Sequence, residues 1–297
     1  MPASLDRFVK GALASLILLL AAGGIHAHGS SIRGEGNDSD IQREGGRVIY
    51  LLGDSTCANA DPAVSSQRGW GQLFHLFFKP RHVKVVNCAV GGTSSKSFRR
   101  LGSYPGIKGK FGKDDIVTIQ FGINDGSEKP ERHTSEAEFA DSIRAFIADV
   151  RAAGARPVLI TPVASRSVDR QGKLRLNENR EKRAKIIIRI GEEEGVPVID
   201  CLDLTKKWLE ALGAEDSKNY YCYFAEGAYP DGKYASGRKD DTHLNQDGAY
   251  EVASIMAREL VSTFPELRKY YVKARYKAVV AEFGQITYHT GSTKKGK

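Results

Sequence analysis

The chain predicts an α/β fold: a doubly wound parallel sheet of about five strands, covered by helices on both faces. Two observations carry this expectation. Five short apolar, β-branched runs, at residues 48–52, 83–86, 116–121, 158–161 and 196–200, show no polar alternation, as strands buried on both faces require. Helical patterns lie between and after them, at 70–78, 136–152, 178–194, 204–212 and 247–260. In the second of these, Phe139, Ile143, Phe146, Ile147 and Val150 recur at helical spacing. The first, rich in Phe and Leu, reads as a helix covering the sheet. Strands and helices alternating in this way, joined by right-handed crossovers, give a three-layer α/β/α sandwich. No internal repeat is visible.

The ends of the chain differ in kind from its middle. Arg7 and Lys10 precede an apolar run over 11–22, followed by the small residues Gly23, Gly24 and Ala27. This is the layout of a secretory signal peptide over 1–27, with an uncleaved anchor as the alternative. Residues 28–45 are polar and Gly-rich and read as a flexible leader, 46–265 as one domain, and 266–297 as a basic C-terminal tail. The formal charge is +8, and the tail carries eight Lys/Arg against two Glu, so the domain itself is near neutral. The expectation is a secreted or periplasmic protein with no stable membrane insertion once the signal is removed. Its tail is either a contact for an acidic polymer or a solvated extension. No zinc-finger spacing or aromatic-rich basic sheet supports nucleic-acid binding. Four cysteines without a CxxC pair argue against a redox dithiol or zinc knot. In an exported chain they allow two disulfides in three possible connectivities, of which Cys57–Cys88 with Cys201–Cys222 is the favoured one.

Ligands of a doubly wound sheet sit beyond the carboxyl ends of its strands, so the residues that follow each run are the informative ones. Gly53-Asp54-Ser55-Thr56 follows the first run, Gly91-Gly92-Thr93 lies shortly after the second, and Gly122-Ile123-Asn124-Asp125 follows the third. Asp240-Asp241-Thr242-His243 precedes the last helix. Taken singly, each is ordinary turn or cap chemistry. Taken together they hold the parts of an acyl-transfer site. A serine hydroxyl needs a base to accept its proton. Of the seven histidines, His26 leaves with the signal and His28 would begin the leader. His75 reads as packed in a helix, His82 opens a strand, His133 lies in a loop and His289 in the tail. His243 alone has an acid three residues earlier at the predicted rim. Asp240 would orient its imidazole toward Ser55, with Asp241 as the rival acid. The backbone N–H groups of Ser55 and Gly92 and the amide of Asn124 would serve as an oxyanion hole.

These four blocks resemble those of the SGNH, or GDSL, hydrolase superfamily, matching at Ser55, Gly92, Asn124 and His243 with Asp240. Gln67-Arg-Gly-Trp-Gly-Gln72, Lys129-Pro-Glu-Arg-His-Thr134, Leu159-Ile-Thr-Pro-Val-Ala164 and Tyr229-Pro-Asp-Gly232 are similar to the rhamnogalacturonan acetylesterase branch. The resemblance covers roughly 46–262. It implies a flavodoxin-like sandwich and a serine esterase that removes acetyl groups from a plant cell-wall polysaccharide of the rhamnogalacturonan or pectin type, through an acetyl-enzyme. No metal and no organic cofactor is implied. Members of the branch carry Arg where this chain has Thr93, His where it has Ile123, and Thr-His-Gly where it reads Leu176-Asn-Glu-Asn-Arg180. The first change weakens the case for a pectic substrate, since guanidinium is the natural partner of a uronate. Arg68 and Arg166 are the candidate replacements, and with Thr93 they make up the expected substrate-binding set. The alternatives are a lysophospholipase or thioesterase, with residues 73–78 as one wall of an apolar groove, and a non-catalytic polysaccharide-binding protein.

Overall fold

A computed structural model describes residues 47–62, 65–175, 177–227 and 236–284. The expected signal peptide and leader, the end of the tail, Leu176 and the 229–232 stretch lie outside the described residues. Strands β1 (Arg47–Gly53), β2 (Val83–Asn87), β3 (Ile116–Gln120) and β4 (Arg156–Ile160) form on the apolar runs. Two short pieces, β5 (Ser167–Val168) and β6 (Leu174–Arg175), make a small hairpin of their own. Strand β7 (Val198–Ile199) completes a five-stranded sheet in the order β2-β1-β3-β4-β7, every pair parallel.

The register explains why the sheet makes a site. Leu51 lies opposite Asn87 and Gly53 opposite Gln120. β1 and β3 therefore end level and β2 two residues earlier, so the segments after them leave the same edge of the sheet and the three blocks read from the sequence converge on one rim.

Helices α1 (Trp70–Leu73), α2 (Ser95–Arg99), α3 (Tyr104–Lys108), α4 (Glu136–Ala152), α5 (Glu178–Glu194), α6 (Cys201–Asp216), α7 (Gln246–Thr263) and α8 (Tyr276–Phe283) surround the strands. Alternate strand residues feed opposite layers. Ile49, Leu51, Val158 and Ile160 join α1, α6 and α7 in one core. Tyr50, Leu52, Val117, Ile119 and Leu159 join α4 and part of α5 in the other. This double burial is the physical reason the strand sequences lack alternation. Helix starts are set by local chemistry. Ser135 and Glu138 form a reciprocal capping box on α4, and Asn177 and Asn245 cap α5 and α7. At the far end of α5, Gly195 adopts φ 60°, the left-handed turn that lets the chain re-enter at β7.

Several expectations are corrected. The 70–78 helix is one α turn followed by a 3₁₀ turn over Phe74–Phe77. It exposes His75, which pairs with Glu282 at 3.0 Å rather than packing inside. The chain after 265 is not a detached tail over its described part. Leu267 and Val279 are fully buried in the α7 core, and Val272 N–H donates to the Phe77 carbonyl at 2.9 Å. The domain therefore runs past the expected boundary to at least α8.

Neither expected disulfide is present, and all four cysteines are free. Cys57 belongs to the α7-side core, whereas Cys88 packs against the α4-side core across the sheet. Cys201 is buried at the start of α6, while the Cys222 thiol faces the Leu244 carbonyl at 3.5 Å. Burial pushes the Cys88 thiol up to about 11 and the Cys222 thiol up to about 12, so both stay protonated and inert.

Candidate active site

A hairpin not read from the sequence, β8 (Tyr221–Phe224) with β9 (Arg238–Leu244), delivers the fourth block. Tyr221 pairs with Leu244, but the next residue, Cys222, pairs with Asp240. Residues 241–243 are thus squeezed out of the ladder as a bulge, which aims His243 at the rim. There the Ser55 hydroxyl lies 3.0 Å from His243 Nε2, and His243 Nδ1 lies 2.8 Å from Asp240 Oδ2. With the proton on Nδ1 directed at the carboxylate, Nε2 presents its lone pair to the hydroxyl.

Each member is held from behind. Asp240 Oδ1 accepts the backbone N–H groups of Thr242 at 2.8 Å and His243 at 3.0 Å, which leaves Oδ2 for the imidazole. Burial works to raise this carboxyl. The hydrogen bond and charge of His243 and the two backbone N–H groups outweigh it, holding Asp240 well below the usual carboxylate range. Ser55 caps no helix, because the chain from 54 to 57 is a turn. Asp54 closes that turn, its Oδ1 accepting from the Thr56 N–H at 2.9 Å and the Thr56 hydroxyl at 2.8 Å. Ser55 is left facing the imidazole, 8 % exposed.

Among the described residues, neither the Ser55 nor the Gly92 backbone N–H has a hydrogen-bond acceptor. Gly92 sits at φ +78°, a conformation that favours glycine. The Asn124 amide spends one N–H on the Thr93 carbonyl at 3.0 Å and keeps the other. Beneath it, Asp125 is fully buried and ties the blocks together. It accepts the Ser95 hydroxyl at 2.5 Å, the Ser95 N–H at 3.1 Å, the Gly122 N–H at 3.0 Å and the Thr134 hydroxyl at 3.3 Å.

Burial pushes the Asp125 carboxyl up to about 6, against the Ser95 hydrogen bonds and the Arg183 charge. The folded protein therefore holds this proton over a range where an ordinary carboxyl, at about 3.9, has lost it. The resulting stabilisation is full below that ordinary value and disappears as pH rises through about 6. In urea melts, the stability advantage of wild type over Asp125→Asn should shrink between about pH 4 and 7. An advantage that grows over that interval contradicts the assignment.

The expected substrate-binding side chains are engaged elsewhere. Arg68 is 0 % exposed and donates to the carbonyls of Ser65 and Gln67, each at 2.6 Å. Arg166 is buried against Asp241 at 2.8 Å, Tyr223 at 3.1 Å and Ser217 at 3.0 Å. That network also occupies the rival acid, because Asp241 Oδ1 takes the Tyr223 hydroxyl at 2.6 Å. The Thr93 hydroxyl turns inward to the Val90 carbonyl at 2.8 Å.

Two residues missed by sequence reasoning support the acid. Arg238 donates to Asp240 Oδ2 and lies 3.3 Å from His243 Nδ1. Residues two apart on a strand share a face, so the spacing was the available signal, had a strand been expected there. Buried Arg180 spans from the Val163 carbonyl at 2.5 Å to the Thr242 hydroxyl at 3.2 Å, bracing the bulge.

Residues 51–250 match the family model described as the GDSL-like lipase/acylhydrolase family. The chain belongs to this family. It is 35 % identical over 209 residues to the rhamnogalacturonan acetylesterase RhgT of Bacillus subtilis strain 168, covering 70 % of this chain and 87 % of that one. Identity to the probable rhamnogalacturonan acetylesterase YesY of the same organism is 32 % over 231 residues, covering 76 % and 98 %. Among solved structures, the Bacillus subtilis protein YxiM superposes with a TM-score of 0.61 at 31 % identity, covering 73 % of this chain and 56 % of that one. The family's α/β/α sandwich is the fold described above.

Proposed function

We propose that this family member is a carbohydrate acetylesterase acting on a plant cell-wall polysaccharide of the rhamnogalacturonan type. The observation that carries the reading is the continuous contact from Asp240 through His243 to Ser55 beside two unoccupied backbone donors. The names of the bacterial relatives support the substrate class.

In this reading His243 Nε2 takes the Ser55 proton as Oγ attacks the acetyl carbonyl. Ser55 N–H, Gly92 N–H and the free Asn124 N–H receive the developing oxyanion. Collapse expels the sugar hydroxyl, protonated by His243, and leaves an acetyl ester on Ser55. Water, deprotonated by the same imidazole, then releases acetate and restores the serine.

Asn124→Ala should lower the turnover of a chromogenic acetate by about 10²–10³-fold, because one oxyanion donor is lost. Steady-state rates check this, and wild-type turnover would remove Asn124 from the hole. The lipid-hydrolase reading loses its groove, since Leu73, Phe74, Phe77 and Phe78 are all buried in the core. The layout of residues 1–27 supports an exported enzyme. Acetate release from a panel of acetylated polysaccharides tests the substrate. The expected result is fastest release from acetylated rhamnogalacturonan; release from acetylated xylan alone would overturn it.

A further inference from the structure

One guanidinium at the rim has no polar partner among the described residues. Were a Cβ added to Gly92, it would lie 3.4 Å from Arg132 Nη2, and one added to Gly91 would lie 3.8 Å from the Ser55 Cβ. The Gly91-Gly92 turn therefore has Ser55 beside its first glycine and the Arg132 side chain beside its second. Arg132 is held there by its loop. Its N–H and that of His133 donate to the Lys129 carbonyl at 3.0 and 2.9 Å, and the Thr134 N–H donates to the Asp125 carbonyl at 3.0 Å. His133 Nδ1 closes the loop on the Ser127 carbonyl at 2.9 Å. Among the described residues the Arg132 side chain makes no hydrogen bond or ion pair, whereas Arg68, Arg166, Arg180 and Arg183 all donate to groups of the protein. It is also half-buried, so its desolvation is already partly spent in the free protein.

We propose that Arg132 is a specificity-determining residue that receives a carboxylate of the polysaccharide, a uronate close to the acetylated sugar, while the acetyl group occupies the oxyanion site. The inference rests on the acetylesterase reading for its substrate and adds the residue that reads that substrate's acid. A planar guanidinium matches two carboxylate oxygens with two parallel N–H groups, and such charge-assisted pairs are the strong class of hydrogen bond. The placement also explains how the chain reads an acid without an arginine at Thr93. The charge comes from the 129–134 loop and reaches over Gly92, which has no side chain to block it.

The test is inhibition of p-nitrophenyl acetate hydrolysis by short oligogalacturonates, with neutral xylo-oligosaccharides of equal length as the control. Each inhibition constant is referred to the same enzyme's uninhibited rate, so a change in turnover does not enter. Wild type should bind the acidic oligomer about tenfold or more tightly than the neutral one at low salt. Arg132→Gln should bring the two constants together, and Arg132→Lys should retain part of the difference. Equal binding of both oligomers by wild type would overturn the proposal, as would an undiminished preference in Arg132→Gln. The two readings fail separately. An acid preference without acetate release from any acetylated polysaccharide sinks the polysaccharide deacetylation reading and leaves Arg132 as an acid-binding residue. Release of acetate with no acid preference sinks the role of Arg132 alone.

Discussion

Ser55→Ala should lower acetyl-ester turnover by about 10⁶-fold, and His243→Ala by a similar factor, because the two act as one unit. Among the described residues the Ser55 hydroxyl has a single side-chain partner, the imidazole 3.0 Å away, so its removal deletes the attacking atom and little else. Its backbone N–H remains in the hole, and Gly92 and Asn124 are untouched. The residual rate should therefore stay above that of water alone, and the double variant should be no slower than either single one. Steady-state assays on a chromogenic acetate, with a thermal melt to show that the fold survives, check both statements. Retention of most activity in either single variant would overturn the assignment.

Asp240→Asn should cost about 10⁴-fold in turnover, less than the loss of the imidazole. The amide keeps the size of the carboxylate but presents N–H where Nδ1–H needs an acceptor, so the imidazole is driven to the wrong tautomer. This variant also removes a charge that Arg238 contacts, leaving a half-buried guanidinium beside an imidazole. A second effect follows from the depressed Asp240 carboxyl. Its folded value lies below the ordinary one, so its stabilisation is present at neutral pH and is lost as pH falls through the acid range. Asp240→Asn should therefore flatten the acid side of the stability profile. Asp241→Asn serves as the comparison, since Asp241 is committed to Arg166 and Tyr223. Wild-type turnover in Asp240→Asn would shift the acid role away from this residue.

The sheet was legible because its signal is local. Strands buried on both faces must be largely apolar, and the runs in β1, β3 and β4 are, whereas edge strand β2 is only partly buried and exposes Lys84. Position on the rim followed from that, since parallel pairing puts the ends of β1, β2 and β3 at the same edge of the sheet. The β8–β9 hairpin was not legible. Its second strand, Arg-Lys-Asp-Asp-Thr-His-Leu, is nearly all polar and bulged, so no period of two marks it. The same irregularity brings Asp240 Oδ2 to His243 Nδ1, and the sequence offered only the three-residue spacing as a hint. The cysteines misled because chain spacing says nothing about which face of the sheet a thiol occupies. The arginines misled for a related reason. Arg68 and Arg166 sit in suitable blocks but turn inward to carbonyls and Asp241, whereas Arg132 lies beside Gly92 from a loop read for its histidine and its family likeness.

The central claim is that the Ser55 oxygen carries the acetyl group between sugar and water. Acid-quenching the enzyme during turnover of an activated acetate, then mapping peptides by mass spectrometry, tests it directly. The account predicts one acetyl group on the peptide containing Ser55, gone when turnover is complete and absent from Ser55→Ala. Acetylation of another residue at the rate of turnover, with Ser55 unmodified, would contradict it.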